Sequence, residues 1–374
     1  MLEDYFVLDA VTHAYNFDPS NYAVPHDAKI ISDLSYFLAR NPPDKRFALP
    51  PEVYLTDWSP EDVASMLFRE SPTDVAVMHP LPISAFTDGL VSVEKAAEAL
   101  ERWPGRFVGA YAAVDPLTGD QALRDLERQA RLFRPMGVKL YPNSWATGQI
   151  ELWRMDDPKV VYPVYEKALE LGINHIAVHK AVPIGSVPVG DSYNPSDIEG
   201  AAAAYPQLNF EIVHGGMAFL DETAWLLSRF GNIYVNMENQ NIILERRPRA
   251  FAEILLGLVR IGGNRIFKRL FWGSGTTLYH PRPALEAFLD FQFPEDLLAN
   301  AGMFGPIRQL TDEDKRGILG GNYARAHGLD LDAARTKITG DEFWRAADEP
   351  LPEPYATLSG PKADAVTKWR QTRA

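Results

Sequence analysis

Cysteine, long apolar runs and an excess of basic residues are all missing from this sequence of 374 residues. Without cysteine, disulfide bonds and thiolate metal sites are excluded. No stretch approaches the roughly 18 consecutive apolar residues of a membrane-spanning helix, so no membrane span is expected. Lys and Arg number 37 against 50 Asp and Glu, which gives a formal net charge of −13. This balance disfavours nucleic acid as a partner, because phosphates attract a basic surface.

The amino-terminal residues and the overall composition predict a large cytoplasmic protein. The opening MLEDYFVLDA is acidic and has only a short apolar stretch, which is typical of a buried strand and not of a secretion signal. With 46% hydrophobic residues, the chain can form a sizeable core. It exceeds the usual length of one domain, but barrels of alternating strands and helices reach about 250 residues or more as a single unit.

Short apolar runs alternate with helical patterns along most of the chain. The predicted strands are residues 5–11, 74–79, 107–114, 136–141, 173–179, 208–214, 232–238 and 269–274. The predicted helices are residues 92–103, 119–133, 163–172, 221–231 and 282–291. This alternation indicates parallel strands joined by crossover helices. Eight such units predict an α/β fold, a (β/α)8 TIM barrel, with an open doubly wound sheet as the alternative.

Two segments do not fit the alternation. Residues 14–73, which we call the insertion, separate the first two strands and are rich in proline and aromatic residues. Long insertions in compact domains are usually lids or binding loops, so we expect this one to cover the mouth of the barrel. Residues 349–374, the tail, are rich in proline and polar residues, and should wrap the surface or a neighbouring subunit. We therefore predict a single barrel domain over residues 1–348, followed by the tail.

Histidines stand at or just past the ends of several predicted strands. His13, His179 and His214 follow the first, fifth and sixth strands, and His79 and His280 lie near the ends of two others. Barrels of this kind carry their chemistry at the carboxyl ends of the strands. We expect at least two of the first three histidines to share one site.

Two charged residues, Glu238 and Lys139, also lie at or near the ends of predicted strands. A catalytic zinc takes three protein ligands and leaves one position for water, and imidazole nitrogen suits this metal well. Glu238, which ends the seventh run, could supply a carboxylate ligand or form hydrogen bonds within its loop. Lys139, near the end of the fourth run, would have to pair with an acid, bind an anion or be modified if it is buried.

The order and spacing of these segments resemble a known family. ILGGNYARAHGL at residues 318–329 and LFWGSGTTLYHPRPALEAF at residues 270–288 carry the likeness, together with VGAYAAVDP, GVKLYP, IAVHK and FEIVHGG. On these segments the chain resembles the amidohydrolase-related branch of the amidohydrolase superfamily, which includes aminocarboxymuconate-semialdehyde decarboxylase and related aromatic-acid decarboxylases. The resemblance extends from the first strand to about residue 329.

The resemblance implies a barrel with one divalent metal, usually zinc. Its ligands are an H-x-H pair on the first strand, a fifth-strand histidine and an eighth-strand aspartate, and a sixth-strand histidine often acts as acid or base. Carried over, His13 and His179 match metal ligands, and His214 matches the acid–base histidine. Val11 and Gly275 stand where the other two ligands are expected, and neither has a donor atom. A rearranged metal site, an enzyme without metal and a barrel without catalysis all stay open.

The resemblance favours a hydrolase acting on a small carbonyl-bearing substrate that is cyclic or aromatic. His214 is then the predicted general base, Lys139 or a metal stabilises oxyanion charge, and Glu238 is a further catalytic residue. Predicted substrate contacts are Tyr141, Ser274, Thr276 and His280. One alternative is a non-oxidative decarboxylase of a small aromatic or unsaturated acid, in which His214 protonates carbon as CO₂ leaves; another is an inert ligand-binding barrel. By analogy with the family, we expect a homodimer.

Overall fold

The computed structural model describes residues 2, 4–188, 190–346 and 348–372, and within them eight strands form one parallel sheet. The strands are β1 Leu8–Thr12, β2 Val75–Met78, β3 Phe107–Ala113, β4 Gly137–Leu140, β5 His175–His179, β6 Asn209–Val213, β7 Ile233–Asn236 and β8 Leu270–Phe271. Each strand pairs with the next along the chain. Outside the sheet, Asn143–Ser144 and Glu151–Leu152 form a small antiparallel ribbon.

The first and last strands close the sheet into a barrel. The Ala10 amide donates to the Trp272 carbonyl at 2.9 Å, and the Gly275 amide donates to the Val11 carbonyl at 3.0 Å. The predicted (β/α)8 TIM barrel is therefore confirmed, and the doubly wound sheet is excluded. Parallel strands buried on both faces appear in a sequence as continuous apolar runs, which is why these strands were recognisable.

Helices surround the barrel and also form much of the insertion and tail. The α-helices are α1 Pro25–Ala39, α2 Pro51–Tyr54, α3 Pro60–Ala64, α4 Val93–Arg102, α5 Asp120–Phe133, α6 Tyr162–Glu170, α7 Gly190–Tyr193, α8 Ile198–Ala204, α9 Leu220–Arg229, α10 Gln240–Arg246, α11 Pro248–Val259, α12 Pro281–Asp290, α13 Glu295–Leu298, α14 Asp312–Arg316, α15 Asn322–His327, α16 Leu331–Ile338 and α17 Gly360–Gln371. The π-helical segments Ser65–Arg69 and Gly317–Gly321 continue α3 and α14. Short 3-10 helices are Pro19–Asn21, Lys45–Phe47, Pro116–Thr118, Pro195–Asp197, His214–Gly216 and Gly263–Arg269. None of the described helices combines the length and apolar character needed to cross a membrane.

The five predicted helices are all present, with ends displaced by at most two residues. Ser92 caps α4 by accepting a hydrogen bond from the Lys95 amide at 3.4 Å. Helices α1, α10 and α11 were not predicted. The strand ends also differ, since β1 starts three residues later than expected and β8 pairs over only two residues.

The insertion, the tail and the loops above the barrel share a second hydrophobic cluster. Buried side chains from the insertion include Phe17, Tyr54 and Trp58, while Tyr355 and Leu358 come from the tail. The main core lies between the barrel strands and the surrounding helices. The carboxyl ends of the strands are therefore covered by a layer with a core of its own.

Candidate active site

His13 follows β1 and lies inside the rim of the barrel, with 1% of its surface exposed. Its Nδ1 is 2.8 Å from the carbonyl oxygen of His79, and its Nε2 is 3.3 Å from Oε1 of Glu238. Both ring nitrogens therefore face oxygen atoms of the protein. His13 and Glu238 form a buried contact in which the ring is held between the His79 carbonyl and the carboxylate.

His179 and His214, which end β5 and follow β6, are in direct contact. Nε2 of His179 faces the Val182 carbonyl oxygen and so carries a proton. Nδ1 of His179 then accepts a hydrogen bond from Nε2 of His214, and these two atoms lie 3.0 Å apart. This contact fixes the orientation of both rings and leaves Nδ1 of His214 as the atom that can exchange a proton.

Nδ1 of His214 has a partner in either protonation state. It lies 3.1 Å from the amide nitrogen Nδ2 of Asn239 and 3.2 Å from the carbonyl oxygen of Glu238. The neutral ring accepts a hydrogen bond from Asn239, and the protonated ring donates one to the carbonyl. Burial lowers the pKa of His214 to about 4, against the opposing effect of Glu238. The ring is therefore neutral at pH 7, and a proton added to Nδ1 has the Glu238 carbonyl oxygen as its acceptor.

Glu238 follows β7 and lies between the two histidines. Its Oε1 contacts His13, and its Oε2 is 3.8 Å from Nδ1 of His214. Burial alone would raise the pKa of Glu238, but His214 and His13 outweigh this effect and hold the pKa well below its usual range. Glu238 is therefore ionised.

Lys139 on β4 is fully buried beneath this cluster. Within the described part of the chain, its Nζ has no hydrogen-bond partner, and it lies 5.4 Å from the ring centre of Tyr141. Burial lowers the pKa of Lys139, while the charges of Glu238 and Glu211 oppose this shift. Within the described residues, Lys139 therefore forms no direct ion pair with Glu238.

A small cavity of about 70 Å³ opens beside the cluster. Its polar wall contains Glu238, His179, His214 and Asn239. The remaining wall is mostly aromatic or aliphatic and comprises Tyr15, Ile31, Leu34, Leu38, Leu81, Ile83, Leu90, Tyr141, Val182, Pro183, Ile184 and Leu278, together with Ser35 and Gly185. Helix α1 of the insertion supplies Ile31, Leu34, Ser35 and Leu38 to this wall.

Three of the predicted substrate contacts lie away from this cavity. Ser274 and Thr276 are fully buried and contact each other through their hydroxyl oxygens at 2.6 Å, in the segment that follows β8 and lies against β1. Nε2 of His280 is 3.0 Å from Oε2 of Glu70, and its Nδ1 accepts a hydrogen bond from the Arg282 amide at the start of α12. These side chains contact neighbouring parts of the fold, and their substrate-binding role stays a prediction. Tyr141 does line the cavity.

Asn239 and Tyr15 were not identified from the sequence, although both line the cavity. Asn239 belongs to the polar run MENQN directly after β7, and that run was the available signal. Tyr15 is two residues beyond His13, and the two rings lie 5.0 Å apart between their centres. A search of the residues after each strand end would have found both.

The residues at the barrel mouth do not fit the metal that the family resemblance implies. In the described ranges, no three His, Asp or Glu side chains are placed to bind one ion. Gly275 stands where an aspartate is expected, and a Cβ there would lie 2.9 Å from Oε1 of Glu238. The space for that ligand is already filled.

Comparison with protein families matches residues 38–329 to the family described as amidohydrolase. No curated protein matches the chain. Among solved structures, an uncharacterised TIM-barrel protein from Bordetella bronchiseptica is similar with 18% identity and a TM-score of 0.61, covering 88% of this chain and 99% of that one.

Two further similar structures are 5-carboxyvanillate decarboxylases. The enzyme from Sphingomonas paucimobilis has 16% identity and a TM-score of 0.51 over 87% of this chain and 100% of its own. The enzyme from Novosphingobium aromaticivorans, complexed with manganese and 4-hydroxy-3-methoxy-5-nitrobenzoic acid, has 13% identity and a TM-score of 0.52 over 87% of this chain and 97% of its own. At these identities the likeness establishes the shared barrel fold.

Proposed function

The chain belongs to the amidohydrolase family, and on that premise we propose that it is a non-oxidative decarboxylase that removes CO₂ from a small aromatic or unsaturated carboxylic acid. The decarboxylase activity of two similar structures supports this choice over the hydrolase that the sequence favoured. Both activities remain proposals for this chain, and decarboxylation is the one that the cavity supports better.

The observation that carries the proposal is the composition of the cavity wall. One side holds a proton-exchanging histidine, and most of the rest is apolar or aromatic. Decarboxylation converts a charged carboxylate into neutral CO₂, so poorly solvating walls favour loss of the charge. The aromatic side chains Tyr15 and Tyr141 offer stacking surfaces for a flat ring.

His214 is the proposed proton donor. A bound carboxylate would raise the pKa of this histidine, because a nearby negative charge favours the imidazolium form. The proton on Nδ1 passes to the carbon that bears the carboxylate. The electrons of the carbon–carbon bond then return to the ring or double bond as CO₂ leaves, and neutral His214 is reprotonated from water.

The neighbouring residues position this donor. His179 holds Nε2 of His214, so that ring rotation is restricted, and Asn239 stabilises the neutral ring after proton transfer. The charge of Glu238, 3.8 Å from Nδ1, stabilises the imidazolium before transfer. General-acid groups of this kind contribute about 10²–10⁴-fold to rate.

The test is a panel of hydroxybenzoic and methoxybenzoic acids, including 5-carboxyvanillate, assayed for CO₂ release and for product made in D₂O. We expect CO₂ together with one deuterium at the carbon that lost the carboxylate. His214→Asn should lower kcat by about 10²-fold or more, whereas His26→Asn, a change at an exposed histidine of α1, should leave it unchanged.

Other outcomes would point elsewhere. Turnover of lactones or esters, with no reaction on any acid of the panel, would support the hydrolase predicted from the sequence. Binding of ring-bearing acids without any turnover would support the inert barrel.

A further inference from the structure

Glu238 occupies the volume that a side chain at position 275 would need. Gly275 has a φ of +68°, and a Cβ added there would lie 2.9 Å from Oε1 and 3.0 Å from Cγ of Glu238. These contacts are too close, so a side chain at 275 and the carboxylate of Glu238 cannot both occupy their places unless Glu238 moves. The acid at this point of the rim therefore comes from β7 and not from the segment after β8.

Val11 is the other residue that stands at an expected ligand position and lacks a metal-binding atom. It is part of the packing between β1 and the segment after β8. It is fully buried, and a Cβ at Gly273 would lie 3.2 Å from its Cβ and Cγ2. The side chain fills the seam where the barrel closes. It belongs to a cluster of buried hydrophobic side chains, and among the described residues no group of three His, Asp or Glu side chains is placed to bind an ion there.

The ring nitrogens of the three histidines are all engaged by other protein atoms within the described residues. His13 contacts the His79 carbonyl and Glu238; His179 contacts the Val182 carbonyl and His214; His214 contacts Asn239 as well. A metal would have to displace at least one of these contacts for each histidine that it bound.

From these contacts we infer that Glu238 replaces the missing eighth-strand acid in space, and that the His13–Glu238–His214 cluster is closed to a divalent cation. This inference concerns the contents of the site and does not depend on the reaction proposed above. It goes beyond the proposed function because it assigns the space of a family metal ligand to the side chain of Glu238.

The first test uses the unaltered protein. After expression with added MnCl₂ or ZnSO₄ and desalting, elemental analysis should find well under one ion per chain, and calorimetric titration with either salt should show no stoichiometric binding. One tightly bound ion per chain that is lost in both His13→Ala and His179→Ala would overturn the inference. This measurement needs no variant for its expected result.

The second test restores the two metal ligands that the family resemblance implies at positions 11 and 275. The double variant V11H/G275D should still bind no metal, because Glu238 fills the space. Adding Glu238→Ala should allow one ion per chain to bind, with affinity increased by about 100-fold or more over the double variant. The triple variant V11H/G275D/E245A is the matched control, since Glu245 is a partly buried carboxylate outside the cavity, and it should bind as poorly as the double variant.

Two results of this series would contradict the inference. Equal metal binding by V11H/G275D with and without Glu238 would show that Glu238 does not block the site. Absence of binding by the folded V11H/G275D/E238A variant would show that volume is not what excludes the ion. If those variants do not fold, the measurement on the unaltered protein decides. Because these tests measure metal content, a result against this inference is distinguishable from a negative result in the decarboxylase assay.

Discussion

Burial determines the charge of several acids along the barrel, and neighbouring cations decide the exceptions. Burial raises the pKa of Asp9 to about 7 and that of Asp74 to about 6, and it also raises the pKa of Glu211. Glu238 is buried to a similar extent, but the neighbouring histidines reverse the direction of its shift. A buried carboxyl group therefore keeps its proton up to about pH 7 at Asp9 and carries a negative charge at Glu238.

The raised pKa of Asp9 should be measurable as a pH dependence of the free energy of unfolding. Its Oδ1 accepts hydrogen bonds from the amides of Ser274 at 2.9 Å and Val11 at 3.2 Å, and an asparagine could accept both. The folded protein keeps the proton on Asp9 up to about pH 7, whereas the unfolded chain loses it near pH 4. This contribution to stability is thus fully present below pH 4 and is lost as the pH rises to 7, by at most about 1.4 kcal/mol per pH unit.

We expect Asp9→Asn to lose less stability than the unaltered protein between pH 4.5 and pH 7.5. Urea unfolding at four pH values in this range measures the difference. Asp88→Asn, a change at an exposed aspartate, is the control and should follow the unaltered protein. Parallel curves for all three proteins would show that Asp9 is not held protonated by the fold.

At the scale of elements, residues 318–329, which carry part of the likeness to the family, connect helices α14 and α15 to the barrel. Gly320 approaches the first strand so closely that a Cβ there would lie 2.9 Å from the Phe6 carbonyl oxygen. Nδ2 of Asn322, at the start of α15, donates to the carbonyls of Phe267 at 2.8 Å and Leu270 at 2.9 Å. Gly328 ends α15 with a φ of +67°, which favours glycine. The motif is therefore structural.

Replacing Asn322 with aspartate should destabilise the protein strongly. The change removes both donors, leaves two buried carbonyls unpaired and places a charge beside them. We expect a loss of about 2–4 kcal/mol in the free energy of unfolding. Asn300→Asp makes the same chemical change at an exposed site and should have little effect. Equal urea midpoints for the two variants would rule out the proposed role of Asn322 in joining α15 to the barrel.

At the scale of the whole molecule, the tail holds the insertion in place. Glu70, at the end of the π-helical segment after α3, accepts hydrogen bonds from the amides of Tyr355 at 2.6 Å and Thr357 at 2.7 Å. The Tyr355 hydroxyl donates to the Phe47 carbonyl at 3.2 Å, and Lys362 pairs with Asp62 at 2.6 Å. The tail therefore lies on the insertion of its own chain. The predicted homodimer stays a prediction.

A chain that ends at residue 348 should keep its barrel and loosen its insertion. Loss of the tail exposes one side of the second hydrophobic cluster, so we expect faster proteolysis within residues 14–73 and a lower Tm, with little change in far-ultraviolet circular dichroism. Glu70→Gln should shift both quantities in the same direction by a smaller amount, because one charged acceptor is weakened. Cleavage at the same sites and rates as in the full chain would show that the tail does not restrain the insertion.

The barrel and part of the candidate site could be predicted from the sequence because their signals are local. Continuous apolar runs identify parallel strands buried on both faces, and a parallel barrel places their carboxyl ends on one rim. That rule alone brings His13, His179 and His214 to one region. The helices of the insertion were missed because their apolar faces pack on a separate cluster of long-range contacts, which periodicity does not reveal.

Only the tertiary structure decided which rim residues touch. His280 turns away to Glu70, Asn239 enters the cavity wall, and Glu238 fills the space beside Gly275. These contacts depend on the paths of loops and on how neighbouring side chains share the available space. Neither can be read from the identity of a single residue. The sequence by itself determined the barrel and the histidines at its mouth. Three-dimensional packing decided that the side chain of Glu238 lies beside the position where the family resemblance predicts a metal ligand.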